Sequence, residues 1–134
     1  MKRSLNAYKK VSVDSQLASA SSHKMVLMLL NGAMERLIQS RVAMVNKDVA
    51  VKGERIGKAL DIILNLKASL SMEDGGDIAQ NLDGLYGYMI KQISVANKDN
   101  SPELITECID ILREITSAWE QIPAEYHHMA TPEK

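Results

Sequence analysis

Between Ser21 and Val45 the chain reads SSHKMVLMLLNGAMERLIQSRVAMV, and this stretch holds more apolar side chains than one helix face can carry. At helical spacing Val26, Leu29, Ala33, Leu37 and Met44 form a continuous stripe of the kind that seals a helix against a core. Met25, Met28 and Leu30, with Gly32 and Met34, fall outside that stripe and leave almost no polar face over the first turns. A helix apolar nearly all round is buried nearly all round. This one is therefore either the central helix of its domain or a helix that also receives a partner. Methionine favours the partner, because its flexible thioether adapts to surfaces of different shape.

The rest of the chain supplies three more segments of helical period. After a polar break at Asn46 and Lys47, Asp48 reads as the cap of a second helix with Ile56, Ala59, Leu60, Ile63, Leu66 and Leu70 on one face. Gly53 and Gly57 interrupt it, and each costs about 1 kcal/mol relative to alanine. Glycines four apart predict that another backbone crosses closely there, a helix of this chain being the first expectation and a partner's helix the second. The run SMEDGG at 71–76 is a turn by its chemistry, with paired glycines free to take positive φ. A third helix from about Asp77 carries Ile78, Leu82, Leu85, Met89, Ile93 and Ala96 inward, with Tyr86, Tyr88 and Ile90 beside them. Ser101 and Pro102 open a fourth, which turns Leu104, Cys108, Ile111, Ile115, Ala118 and Ile122 inward and has Ile105, Ile109, Leu112 and Trp119 alongside. Pro123 stops it.

Four such helices with short connections predict an all-α fold, an antiparallel up-and-down four-helix bundle over 21–122. A short N-terminal arm covers 1–20, and 123–134 reads as a mobile tail. In the arm Leu5, Tyr8 and Val11 are the main apolar anchors, and they predict that the arm docks on surplus apolar surface of the bundle.

Charge and residue usage exclude several classes of function. The 16 Lys and Arg nearly cancel the 17 Asp and Glu and form no long block, unlike the clustered basic footprint of a nucleic-acid binder. The N-terminal basic residues precede no apolar run, so neither a signal peptide nor a membrane span is read. A single cysteine, Cys108, allows no internal disulfide and fits a reducing cytosol. It lies on a core stripe beside Glu107 and Asp110, where a thiolate is disfavoured. His23, His127 and His128 show none of the spacings that bind metal in helical bundles, and His23 is followed by an apolar run rather than the solvated, basic face a phosphorylated histidine needs. The Asp74–Asp77 run lacks the Lys and Ser/Thr of a phosphate loop and the alternating acids of a calcium loop. Catalytic, cofactor and metal sites are accordingly read as none.

Several stretches resemble one family. Ser21 to Ala33, with Ala20 before it, is similar to the opening helix of the flagellin-specific export chaperones, the FliS family, which reads Ser-Pro-His-x-Leu-Ile-x-Met-Leu-Tyr-Asp-Gly-Ala. Lys52-Gly53-Glu54-Arg55-Ile56-Gly57-Lys58-Ala59 resembles its second helix. Gly75-Gly76-Asp77-Ile78-Ala79-Gln80-Asn81-Leu82, running into Leu85-Tyr86-Gly87-Tyr88-Met89, resembles its most recognisable stretch. Ala118-Trp119 and Ala7-Tyr8 with Val11 fit its two ends, so the likeness spans about residues 5–122 in order. Ser22 stands where the family has Pro, and Leu30-Asn31 replaces its Tyr-Asp.

The resemblance implies a cytoplasmic chaperone that binds the C-terminal segment of flagellin, prevents its premature polymerisation and delivers it to the flagellar export apparatus, whose components are then further partners. No nucleic acid, membrane span or cofactor is expected, and a weak homodimer is compatible with this reading. The client segment would wrap the bundle over Tyr8, Val11, Met25, Met28, Leu30, Gly53, Gly57, Tyr86 and Tyr88. The alternative is a homodimeric scaffolding bundle that buries its surplus apolar faces against itself and has no flagellin client.

Overall fold

The computed structural model describes residues 22–122, apart from the side chains of Ser22 and 72–74. The expectations for the arm, including Leu5, Tyr8 and Val11, and for the tail lie outside these residues. Helices α1 (Ser22–Val45), α2 (Val49–Ala68), α3 (Met72–Asp99) and α4 (Pro102–Glu120) follow one another, and no strand occurs among the described residues. Each packs on the next and α4 packs on α1, which closes an antiparallel four-helix bundle.

The helix ends follow from local chemistry. Lys47 takes a left-handed φ of 59°; its N–H donates to the Met44 carbonyl at 3.2 Å, and the Asp48 N–H donates to Ala43 at 2.8 Å. These are the paired bonds that end a helix at a left-handed residue. Asp48 then caps α2 by accepting from the Val51 N–H at 3.2 Å. At the same end of the bundle Asn100, with φ 51°, closes α3, and Ser101 accepts from the Leu104 N–H at 3.3 Å to open α4. Asn100 also ties the two loops, since its Nδ2 donates to the Met44 carbonyl at 3.4 Å and its Oδ1 accepts from Lys52 at 3.2 Å.

The 71–76 segment departs from the expected open turn. The chain is already helical from Met72 and is broken only at Gly76, whose φ of 52° and ψ of −128° suit glycine alone, so the regular part of α3 begins at Asp77.

Val26, Leu30, Ala33, Leu37 and Met44 of α1 and Ile56, Ala59, Ile63 and Leu66 of α2 are buried. In α4 the inward face is rotated from the one expected, whereas in α3 Leu82, Met89, Ile93 and Ala96 are buried as expected and the difference lies at the edge of the stripe. Tyr86 is buried and Leu85 is 39% exposed. In α4 Ile105, Cys108, Ile109, Leu112, Ile115, Thr116 and Trp119 point inward, while Ile111 and Ile122 are half-buried and Ala118 is exposed. Both helices carry two adjacent apolar stripes. Helical period alone does not choose between such stripes; contact with both neighbouring helices does.

Candidate functional site

The displaced stripes leave apolar surface uncovered where α3 faces α4. Ile78 and Leu85 from α3, Ile111 and Ala118 from α4, and Ile122 just beyond it wall an open groove of ≈ 330 Å³ that Leu82, Ile115 and Trp119 also line. Its polar side chains are Asn81 and Glu114. An uncovered apolar channel with few polar groups is suited to an apolar side-chain ladder rather than to bond-making chemistry.

Polar contacts between helices bound the groove. Toward the loop end, the Tyr88 hydroxyl donates to Glu107 Oε2 at 2.9 Å and Gln92 Nε2 donates to Oε1 of the same carboxylate at 3.4 Å, bridging α3 to α4. The hydrogen bond to Glu107 raises the Tyr88 phenol above its ordinary pKa, with desolvation and the charge of Glu107 adding to it. At the other end, the His23 ring of α1 stacks on Trp119 with centroids 5.0 Å apart and planes 10° from parallel. The Trp119 Nε1–H donates to the His23 carbonyl at 2.9 Å, and His23 Nε2 meets the Trp119 carbonyl. His23 is thus a buried clasp between the first turn of α1 and the last turn of α4.

The residues expected to touch a partner do not assemble into one site. Leu30 is 0% and Tyr86 1% exposed, so both are core residues closed to a partner in this conformation. Leu30 turns inward with Val26, Ala33 and Leu37, and burial pushes the Tyr86 phenol far above its ordinary pKa. Met25, Met28 and Tyr88 are exposed, on α1 and α3. Gly53 and Gly57 face solvent on α2, and a Cβ at either would meet nothing within 4 Å. Among the described residues no helix crosses there, contrary to the first expectation for the pair. At Gly32 a Cβ would lie 3.6 Å from Ile62 Cδ1 of α2, an ordinary van der Waals contact.

Helical period hides the groove, because it places all of its walls, Ile78, Leu85, Ile111, Ala118 and Ile122, on core stripes. The signal available was the doubling of apolar stripes, Leu85 next to Tyr86 and Ile111 next to Leu112, which exceeds what one core face absorbs.

Cys108 is buried with Sγ 4.0 Å from the Met89 carbonyl, and burial, helped by the charge of Glu107, pushes its thiol up to about 12. A thiol so held is not a nucleophile near neutral pH. Among the described residues no three His, Cys, Asp or Glu side chains gather where a metal ion could sit, and no helix is long and apolar enough to cross a membrane.

Residues 4–126 match the family model for the flagellar protein FliS. The chain is 60% identical to the flagellar secretion chaperone FliS of Vibrio cholerae, over 99% of this chain and 98% of that one. It is 44% identical to the flagellar secretion chaperone FliS of Salmonella typhimurium over 88% of each chain. With the flagellar secretion chaperone FliSB of Pseudomonas aeruginosa it shares 39% identity, over 90% of this chain and 95% of that one. An uncovered apolar groove on a four-helix bundle, and likeness over nearly the whole length of these proteins, lead to one conclusion: the chain belongs to the FliS family of flagellar proteins.

Proposed function

We propose that this protein is a cytoplasmic export chaperone that binds the C-terminal segment of flagellin, keeps it from polymerising and hands it to the flagellar export apparatus. The observation that carries the reading is the α3–α4 groove, apolar, open and edged by exposed Leu85 and Ala118. A segment that polymerises through apolar helix faces is kept soluble when those faces are laid into such a surface. Met25, Met28 and Tyr88, and the flat face at Gly53 and Gly57, extend the contact around the bundle in this reading. A client that wraps several faces gives up ordering free energy on binding, so it needs dispersed contacts rather than one deep pocket. The chaperone does no covalent chemistry.

The test is calorimetric titration of the intact protein with a synthetic peptide of the flagellin C-terminus, repeated with Leu85→Asp and Ala118→Asp. Both positions are exposed enough to take a carboxylate without unfolding the bundle, yet a bound client would desolvate that charge. Binding by the parent and a loss of at least about tenfold in the variants is expected. Equal binding by all three would remove the groove from the client surface. No binding by the parent, together with a tight dimer by light scattering, would favour a self-associating scaffold.

A further inference from the structure

The His23–Trp119 clasp is more than the core requires. Trp119 belongs to two structures at once: its ring stacks on His23 and its side chain lines the groove. Its carbonyl is one of the last in α4, where backbone acceptors lack helical partners. The Ile122 N–H reaches it at 3.2 Å, and His23 adds a second donor from another helix. A side-chain donor placed so satisfies a backbone carbonyl at the end of a helix. Ile122, the next groove residue, follows directly on that capped turn. His23, which does not line the groove, thus contacts both the ring and the carbonyl of a residue that does.

We propose that His23 is a positioning residue for the client groove: it fixes the Trp119 ring and the last turn of α4 as the end wall, and so couples groove occupancy to the order of the first turn of α1. The proposal rests on the reading that this groove takes the flagellin segment. Without the imidazole, the indole loses the ring behind it and the α4 carbonyl loses a donor, while the Nε1–H bond to the position 23 backbone alone does not hold the ring plane. The wall then has several arrangements where it had one, and an occupant must select among them, which lowers its apparent affinity. Linkage makes the effect reciprocal. By whatever factor the clasp tightens an occupant, the occupant stabilises the clasp, and with it the start of α1 where the N-terminal segment joins the bundle.

The experiment uses full-length protein with His23→Ala, His23→Phe, which keeps a ring to stack, and His23→Gln, which keeps a donor. Two probes report on the groove: the flagellin C-terminal peptide, and the dye 1-anilinonaphthalene-8-sulfonate excited by energy transfer from Trp119, the one tryptophan of the chain. At a temperature where circular dichroism finds the variants folded, His23→Ala should bind the peptide about tenfold more weakly and show altered transfer to the dye. It should also lack the peptide-induced protection of amides 23–27 that is expected of the parent. His23→Phe and His23→Gln should each recover part of the affinity. Lower thermal stability with unchanged affinity, dye transfer and amide protection would overturn the proposal and leave the clasp as packing. Should His23→Ala fail to fold, the Phe and Gln variants carry the same comparison. If the parent binds no peptide, the flagellin reading falls, and the dye measurement still decides whether His23 shapes the groove.

Discussion

Gly53 and Gly57 cost α2 helical stability and give the fold nothing in return, since no other part of the described chain comes within 4 Å of where their side chains would start. Replacing Gly53 with Leu should therefore raise the unfolding free energy by about 0.5–1 kcal/mol, read by urea denaturation. If the flat face receives the client, the same change should weaken flagellin binding; a variant both more stable and fully competent would take the glycines off the client surface. Cys108 and Tyr86 make the opposite kind of residue-scale statement. The thiol ordinarily ionises near 9 and is held up to about 12 in the fold. Above pH 9 the unfolded chain therefore releases a proton that the folded chain keeps. Stability from this group is complete below about pH 9 and is lost as pH rises toward 12. Tyr86, whose ordinary value is 10.0, adds a loss of the same sign above pH 10. Denaturation midpoints should hold near neutrality and fall progressively from about pH 9, with Cys108→Ala flattening the first part of the fall. A thiol reagent at pH 7 should modify Cys108 only as fast as the bundle opens.

At the scale of the helices, the ends were more legible than the faces. Asp48 before a helical pattern, and Ser101 followed by Pro102, announced α2 and α4 through chemistry that acts within a few residues. The end of α1 depends on Lys47 holding a left-handed φ of 59°, a conformation glycine adopts without strain. Lys47→Gly should stabilise the protein by about 0.5–1 kcal/mol in chemical denaturation without changing client affinity. A loss of stability would mean that the lysine stem makes contacts which outweigh its backbone strain. The faces of α3 and α4 were harder to read because each has apolar residues on both sides of its midline. Leu85 and Tyr86 differ by one position and by about 100° around the helix, and only the placement of α2 and α4 on either side decides that Tyr86 goes in. The groove was hidden by the same ambiguity. His23 could be read as structural from its apolar surroundings, but its partner Trp119 is 96 residues away, and no local pattern reports such a pairing.

Across the whole molecule the four interfaces are unequal. α1 and α2 pair most extensively and α3 with α4 least, and the groove opens in that loosest seam. Local opening follows contact density, so the seam is where the bundle should fluctuate first. The cross-links along it are few: the Tyr88–Glu107 bridge lies toward the loops, and the His23–Trp119 clasp holds α4 to α1 at the far end rather than to α3. Hydrogen exchange in the free protein should accordingly be slowest in the middle of α1 and α2, and faster in 78–85 and 111–122. A client lying in the groove contributes apolar contacts where the seam has fewest, so flagellin peptide should slow exchange in those two segments most and leave the middle of α2 nearly unchanged. A homodimer that closed the groove would give the same protection without peptide, rising with protein concentration. Protection that appears instead across α1 and α2 would mean that the client seats on exposed residues of those helices, such as Met25, Met28, Gly53 and Gly57, and leaves the groove open.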